Sequence, residues 1–149
     1  MPTPCDTSRH HFDPDAECVE LTVRNNLVAA KQPEQEILRK VQECGYREED
    51  VFAIKLALEE AMTNAVRHGN RNDPAKQIFV RYQVTPRKTT ILIRDEGPGF
   101  RPERVPDPTA PEFIERPCGR GIMLMRVYMT HVAFGGQGNE VILVKVNEP

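Results

Sequence analysis

The chain has 149 residues, enough for one domain with a buried core, and 39% of them are hydrophobic. It carries 20 basic and 22 acidic residues, a formal net charge of -2, so no broadly basic surface for direct nucleic-acid binding is expected. No apolar run approaches the length of a membrane span, and the first residues lack the apolar stretch of a signal peptide. These features predict a cytoplasmic protein that makes no membrane contact.

The first third of the chain predicts a tail, a strand and a helix. Residues 1–16 are rich in Pro, Asp and His without periodicity and are predicted to be a flexible tail before a single domain, 17–149. Apolar and polar residues alternate over 19–24, which predicts a half-buried strand. Pro33 is expected in the first turn of a helix, where its missing N–H costs nothing, and Gly45 is expected to end that helix.

The middle of the chain predicts one long helix and a hairpin. The helix runs from about Glu48 to His68, and its core-facing residues recur at helical spacing: Val51, Ile54, Leu58, Ala61, Met62 and Ala65. Alternation over 77–84 and 89–94 predicts two strands joined by a tight connection.

The last third predicts a long loop, a helix and a second strand pair. Residues 96–118 contain six prolines and two glycines, and loops of this length are usually functional lids or disordered. A helix is expected from Gly121 to about His131, followed by strands that begin near residue 132 and at residue 140. Helices thus separate antiparallel strand pairs, which predicts an α+β fold: a two-layer sandwich of helices on one mixed, largely antiparallel sheet.

The long helix carries polar residues suited to a metal-assisted reaction. Glu60, Asn64 and His68 are spaced by four and therefore share one face. Asn is unusual inside a helix, and its amide oxygen is a ligand type that Mg²⁺ accepts. Glu60, one turn earlier, could accept a proton from a hydroxyl beside that metal. Taken alone, a solvent-facing helix surface explains the same residues better.

Two glycine-rich segments add a possible base pocket and a possible phosphate cradle. Asp95 opens a turn in which Gly97 and Gly99 leave room for a flat base, and its carboxylate could accept a hydrogen from the exocyclic amine of adenine. A simple turn after a strand accounts for the same residues. Gly119 and Gly121 flank Arg120 just before the predicted helix, where exposed N–H groups attract phosphate, although such a motif proves little by itself.

The three segments together, in this order, resemble the N, G1 and G2 boxes of the GHKL, or Bergerat-fold, ATPases. The matching residues are Glu60-x-x-x-Asn64-Ala65-x-x-His68-Gly69, Asp95-x-Gly97-x-Gly99-Phe100 and Gly119-Arg120-Gly121-Ile122-x-Leu124-Met125. The short single-domain form is similar to anti-sigma factor serine/threonine kinases, and the resemblance covers roughly residues 17–147.

The resemblance implies an ATP site with a role for each matching residue. Asn64 would hold Mg²⁺, Glu60 would be the general base, and Asp95 would read adenine. Residues 101–118 would form the lid. The residues implied to contact the nucleotide are Asn64, His68, Asp95, Gly97, Gly99, Phe100, Gly119, Arg120, Gly121 and Ile122.

The resemblance also implies a kinase that phosphorylates a serine or threonine on a STAS-domain anti-sigma factor antagonist, binds a sigma factor and forms a homodimer. A non-catalytic ATP-binding interaction module and a simple ATPase are the alternatives. The sequence departs from the family pattern in one place: many members have a Gly-Thr pair where this chain has Gly138-Asn139-Glu140. An acid facing inward there would repel phosphate.

Overall fold

The structure, a computed structural model, describes residues 11–98, 117–136 and 138–148, and in the second range it describes side chains from residue 121 onward. Gly99, Phe100 and residues 101–116 of the predicted lid lie outside the described residues, so the lid stays a prediction.

Five strands form one sheet, and three helices and a short π-helix complete the described elements. The strands are β1 (Val19–Arg24), β2 (Gln77–Val84), β3 (Lys88–Arg94), β4 (His131–Gly135) and β5 (Glu140–Val146). The helices are α1 (Leu27–Glu43), α2 (Glu48–Thr63), the π-helix Asn64–Gly69 and α3 (Pro117–Tyr128). The strand order is β1-β2-β3-β5-β4, and each neighbouring pair is antiparallel. The predicted α+β fold of helices on a largely antiparallel sheet is confirmed.

The main core lies between the helices and one face of the sheet. Ile54 and Leu58 of α2 are fully buried there together with Ile91 of β3 and Leu143 of β5. Burying each of these side chains stabilises the fold by about 1.5–3 kcal/mol. The helices are therefore held to the sheet by apolar packing, and this packing fixes the end of α2 above the end of β3.

The helix α1 begins at Leu27, six residues before the proline that was expected to open it. Asn26 is the N-cap, because its side-chain oxygen accepts the N–H of Ala29 at 2.7 Å. Pro33 lies buried inside the helix, where packing against the core offsets its missing backbone donor. The prediction was wrong because the proline was preferred over the asparagine cap as the start signal.

The helix α3 also begins earlier than predicted, at Pro117 and not at Gly121. Proline is well suited to the first position of a helix. Gly121 lies inside α3 because the helix crosses close to α2 at this point. A Cβ added to Gly121 would lie 2.8 Å from Asn64 Nδ2 and 3.1 Å from Glu60 Oε2.

Residues 11–16 of the predicted tail lie against the outer face of the sheet. The side-chain amide of Gln83 accepts the N–H of Asp13 at 2.8 Å and donates to its carbonyl oxygen at 2.7 Å. Phe12 packs against a small apolar cluster on the same face. The segment predicted to be flexible therefore includes a stretch attached to the sheet, while the extent of the domain, 17–149, stays a prediction. None of the described helices combines the length and hydropathy needed to cross a membrane.

Candidate functional site

A cavity of about 170 Å³ lies where α2, the π-helix and α3 meet the ends of β3 and β5. Its apolar wall comes from both layers of the fold and includes Ala61, Ala65, Ile93, Met125 and Val141. Its polar wall contains Asn64, His68, Arg71, Asp95 and Asn139. A pocket with a mainly apolar lining and a few convergent polar groups is typical of small-molecule sites.

The π-helix shapes one wall of this cavity. The N–H of Asn70 donates to the carbonyl oxygen of Ala65 at 2.8 Å, five residues back, where an α-helix would bond four residues back. The sequence predicted an α-helix through His68, and no residue pattern distinguished the wider turn. This turn brings Gly69 directly against Asp95: a Cβ added to Gly69 would overlap the Asp95 carboxylate.

Asp95 presents a carboxylate at the base of the cavity. The N–H of Gly97 donates to Asp95 Oδ1 at 2.8 Å, and Asp95 Oδ2 lies nearest the space that a side chain on Gly69 would fill. Burial raises the pKa of Asp95 above its usual value, while the Gly97 N–H and the charge of Lys76 act in the opposite direction. The carboxylate is thus held by one oxygen, and the other can accept a hydrogen bond.

Glu60 and Asn64 lie together under the first turns of α3. Both side chains lie close to Gly121, and both are partly exposed. Neither has a hydrogen-bond or ion-pair partner within the described part of the chain. In the same residues, no group of three or more His, Cys, Asp or Glu gathers to hold a metal. The amide oxygen of Asn64 fits Mg²⁺, since this ion keeps most of its waters and needs few protein ligands.

The predicted site residues that the structure describes fall into three groups. Asn64, His68 and Asp95 line the cavity. Glu60 and Gly121 adjoin it at its Asn64 end. Of the others, Gly97 packs against the backbone of Gly69 and Ile122 is buried in the core, while the backbone of Gly119 and Arg120 lies in the first turn of α3.

The acid that departs from the family pattern, Glu140, is paired on the other side of the sheet. Its Oε1 accepts from Arg94 Nε at 2.9 Å and from Arg94 Nη2 at 2.7 Å. The Arg94 guanidinium also lies over the ring of Phe79 at 5.0 Å. The Arg94 guanidinium therefore offsets the charge of Glu140, a residue that also lines the cavity beside Asn139.

Two residues at the site were missed by sequence reasoning. Arg71 was not among the predicted site residues, because a solvated helix end was favoured over contact with phosphate, but it lines the cavity and has an uncommon positive φ of 51°. Asn70, in a run of residues typical of a turn, was not among them either, but it is fully buried and its side-chain oxygen accepts the N–H of Glu96 at 2.7 Å. The available signal was an asparagine directly after the glycine that ends the helical segment.

Comparisons with known proteins identify the family of this chain. Residues 13–145 match the family model of the histidine kinase-like ATPase domain. The anti-sigma F factor of Shouchella clausii is 36% identical over 80 residues, which are 52% of this chain and 54% of that protein. The serine-protein kinase RsbW of Oceanobacillus iheyensis is 27% identical over 106 residues, which are 67% of each chain. The chain thus spans about half to two thirds of the length of these relatives.

A solved structure shares the fold. The RsbU and RsbW domains of Rv1364c from Mycobacterium tuberculosis align with a TM-score of 0.58 and 16% identity, covering 89% of this chain and 33% of that one. Since the family model takes in most of the sequence, the resemblance drawn from the three motifs is confirmed, and the chain belongs to the histidine kinase-like ATPase domain family.

Proposed function

We propose that this protein is an ATP-dependent serine/threonine kinase that acts as an anti-sigma regulatory factor. The observation that carries the proposal is the placement of Asn64 and Asp95 on one cavity, with Glu60 beside Asn64 at its edge. The proposed metal ligand, base reader and proton acceptor would thereby lie along one side of the bound nucleotide.

The end of the cavity near Asp95 would hold adenine. Ile93, Ala65 and Val141 supply apolar surface suited to the faces of a flat base. Asp95 would accept a hydrogen from the exocyclic amine, which guanine replaces with a carbonyl. The free Asp95 oxygen beside Gly69 supports this assignment.

The end near Asn64 would hold the phosphates and Mg²⁺. Asn64 has a side-chain amide without a partner in the described chain, and Gly121, in the second turn of α3, lies next to it. The first N–H groups of a helix are exposed and favour an anion, so the backbone of Gly119 and Arg120 would cradle phosphate, and Gly121 would allow the phosphate to come close. Bound Mg²⁺ would supply charge neutralisation there, and the lid, 101–118, would exclude water.

Glu60 would act as the general base toward a partner protein. Its carboxylate is partly exposed and has no partner among the described residues, so it can reach an incoming hydroxyl. It would take the proton of a serine or threonine hydroxyl while the hydroxyl oxygen bonds to the γ-phosphorus of ATP, the bond from that phosphorus to the bridging oxygen breaks, and ADP leaves. Phosphoryl transfer depends mainly on such positioning and on charge stabilisation.

The partners are proposed from the relatives. Proteins named anti-sigma F factor and serine-protein kinase RsbW match this chain. By extension, the phosphate acceptor would be a STAS-domain antagonist, the second partner would be a sigma factor, and the kinase would act as a homodimer in the cytoplasm.

The test compares two neighbouring acids. The protein is incubated with γ-labelled ATP, Mg²⁺ and a STAS-domain protein that a pull-down recovers with it. We expect Glu60→Gln to bind ATP normally and to lose label transfer by at least about a hundredfold, given the typical contribution of a positioned general base. Glu59→Gln is the matched control, because Glu59 interacts with Glu34 of α1 and not with the cavity. Undiminished transfer by Glu60→Gln would remove Glu60 as the base, and ATP binding without any transfer by the unaltered protein would favour the non-catalytic module.

A further inference from the structure

One peptide unit in the site, the amide that joins Asp95 to Glu96, is held from both sides by asparagine side chains. Its carbonyl oxygen accepts from Asn139 Nδ2 at 2.9 Å. Its N–H donates to Asn70 Oδ1 at 2.7 Å. Both polar atoms of this peptide unit are therefore fixed by side chains from other elements, one from the β4–β5 hairpin and one from the end of the π-helix.

Asn70 is a rigid support for this arrangement. It is fully buried, and its Nδ2 donates to Asn25 Oδ1 and to the carbonyl oxygen of Gln77, each at 3.0 Å. Its backbone N–H closes the π-turn on Ala65. The side-chain oxygen that receives the Glu96 N–H therefore cannot shift without breaking bonds to three other parts of the chain.

Asn139 grips the same segment twice and also lines the cavity. Besides its side-chain bond, its backbone carbonyl accepts the N–H of Asp95 at 2.9 Å. The backbone on both sides of the Asp95 Cα is thus tied to the hairpin. Since the Gly97 N–H fixes one carboxylate oxygen, the position of the other oxygen follows from this backbone anchoring.

We propose that Asn70 and Asn139 are positioning residues that set the selectivity of the cavity for adenine over guanine nucleotides. The inference rests on the proposed adenine site and deepens it. A carboxylate discriminates between an amine and a carbonyl only where it is held at hydrogen-bond distance. If the peptide unit is released, Asp95 can turn away from a guanine carbonyl, and the penalty against guanine falls.

The chain offers a matched control at the opposite end of β5. Asn147 donates through Nδ2 to the carbonyl oxygen of Pro86 at 2.9 Å, and its backbone N–H donates to Arg87 at 2.8 Å. It therefore ties a strand end to the neighbouring hairpin much as Asn139 does, but it does not line the cavity. Asn139→Ala and Asn147→Ala both remove a side-chain hydrogen bond to a backbone carbonyl.

The experiment measures Kd for ADP and for GDP by calorimetry, together with the thermal unfolding midpoint, in the full chain. We expect the unaltered protein to prefer ADP. Asn139→Ala should lower the GDP-to-ADP Kd ratio about tenfold, the effect of one lost interaction of typical strength. Asn147→Ala should lower the unfolding midpoint and leave the ratio unchanged. Asn70→Ala should also lower the ratio, with a larger loss of stability.

The outcomes separate this inference from the proposed function. An unaltered protein that binds neither nucleotide would overturn both. A protein that prefers ADP, with the same ratio in Asn139→Ala, would overturn the positioning role alone. If Asn139→Ala does not fold, Asn139→Asp replaces it, since it keeps the side-chain shape, removes the Nδ2 donor and is expected to lower the ratio in the same way.

Discussion

At each end of the β3–β5 strand pair, an asparagine side chain donates a hydrogen bond to a backbone carbonyl of a neighbouring segment. The two ends differ in whether the polar side chains around that asparagine have hydrogen-bond partners. At the end near Asn147, the turn that follows β2 satisfies its own polar groups: Thr85 Oγ1 accepts from the N–H of Lys88, and the Thr85 carbonyl accepts from Tyr46 Oη at 2.8 Å. Tyr46 Oη in turn accepts from Thr89 Oγ1.

At the other end, several side chains have no partner among the residues that the structure describes. Asn64, His68 and Arg71 line the cavity there and have no hydrogen-bond or ion-pair partner among the described residues. The backbone beneath them is nevertheless firmly tied through Asn70 and Asn139. The hydrogen bonds near Asn147 contribute to stability, whereas the end that carries Asn64, His68 and Arg71 is the proposed nucleotide site.

The largest effect should come from the carboxylate at the site end. Asp95→Asn replaces an acceptor-only group by an amide, and we expect ATP to bind about a hundredfold more weakly because a charge-assisted hydrogen bond is lost. Calorimetry with ATP and Mg²⁺ measures it. Because burial raises the pKa of Asp95, affinity in the unaltered protein should weaken as the pH falls toward that pKa, and the variant should lack this dependence. Unchanged affinity in the variant would rule out the adenine-reading role.

Two glycine substitutions distinguish the effect of filling a tight space from the effect of straining the backbone. At Gly69 an added methyl group would overlap the Asp95 carboxylate, so Gly69→Ala should weaken ATP binding about tenfold or more by displacing that group. At Gly45 the φ is 78° and an added methyl group would meet nothing within 4 Å. Gly45→Ala should therefore cost about 1–2 kcal/mol of unfolding free energy and leave ATP binding intact. Equal ATP affinities in the two variants would show that the close packing at Gly69 does not matter for binding.

A substitution at the end of the strand pair near Asn147 should change stability alone. Tyr46→Phe removes the donor to the Thr85 carbonyl and the acceptor for Thr89, and we expect a loss of about 1–2 kcal/mol of unfolding free energy. Urea denaturation measures the loss, and a parallel ATP titration should match the unaltered protein. A change in nucleotide affinity would indicate that the two ends are coupled and not independent.

The smallest effect is expected in the helical layer, away from both ends. Burial, with a hydrogen bond and repulsion from Glu59, raises the pKa of Glu34 to about 7 from 4.5. A raised carboxyl pKa stabilises the folded state at low pH, and this contribution is lost as the pH rises from about 4.5 through about 7. Glu34→Gln should therefore unfold at a higher temperature than the unaltered protein at pH 8. At pH 5 the difference between their unfolding temperatures should be smaller. A difference in unfolding temperature between the variant and the unaltered protein that is the same at pH 8 and at pH 5 would refute the raised pKa of Glu34.

Local patterns predicted what local chemistry controls. The alternation in 77–84 gave the bounds of β2, and the helical spacing of Ile54, Leu58 and Ala61 gave the buried face of α2. Helix starts were less predictable because two signals competed: an asparagine cap against Pro33 in α1, and Pro117 against a glycine pair in α3. In α3, Gly121 allows the close approach to α2, which is a contact between distant segments.

The sequence by itself determined the order of the three motifs, the antiparallel layered fold and the residue types available for a nucleotide, because these depend on periodicity and on side-chain chemistry. Only the tertiary structure decided that Gly69 meets Asp95 across a π-turn, that Arg94 neutralises Glu140, and that two asparagines hold one peptide unit. The physical reason is that each of these contacts joins residues far apart in the chain, and their geometry is fixed only when the helices pack on the sheet.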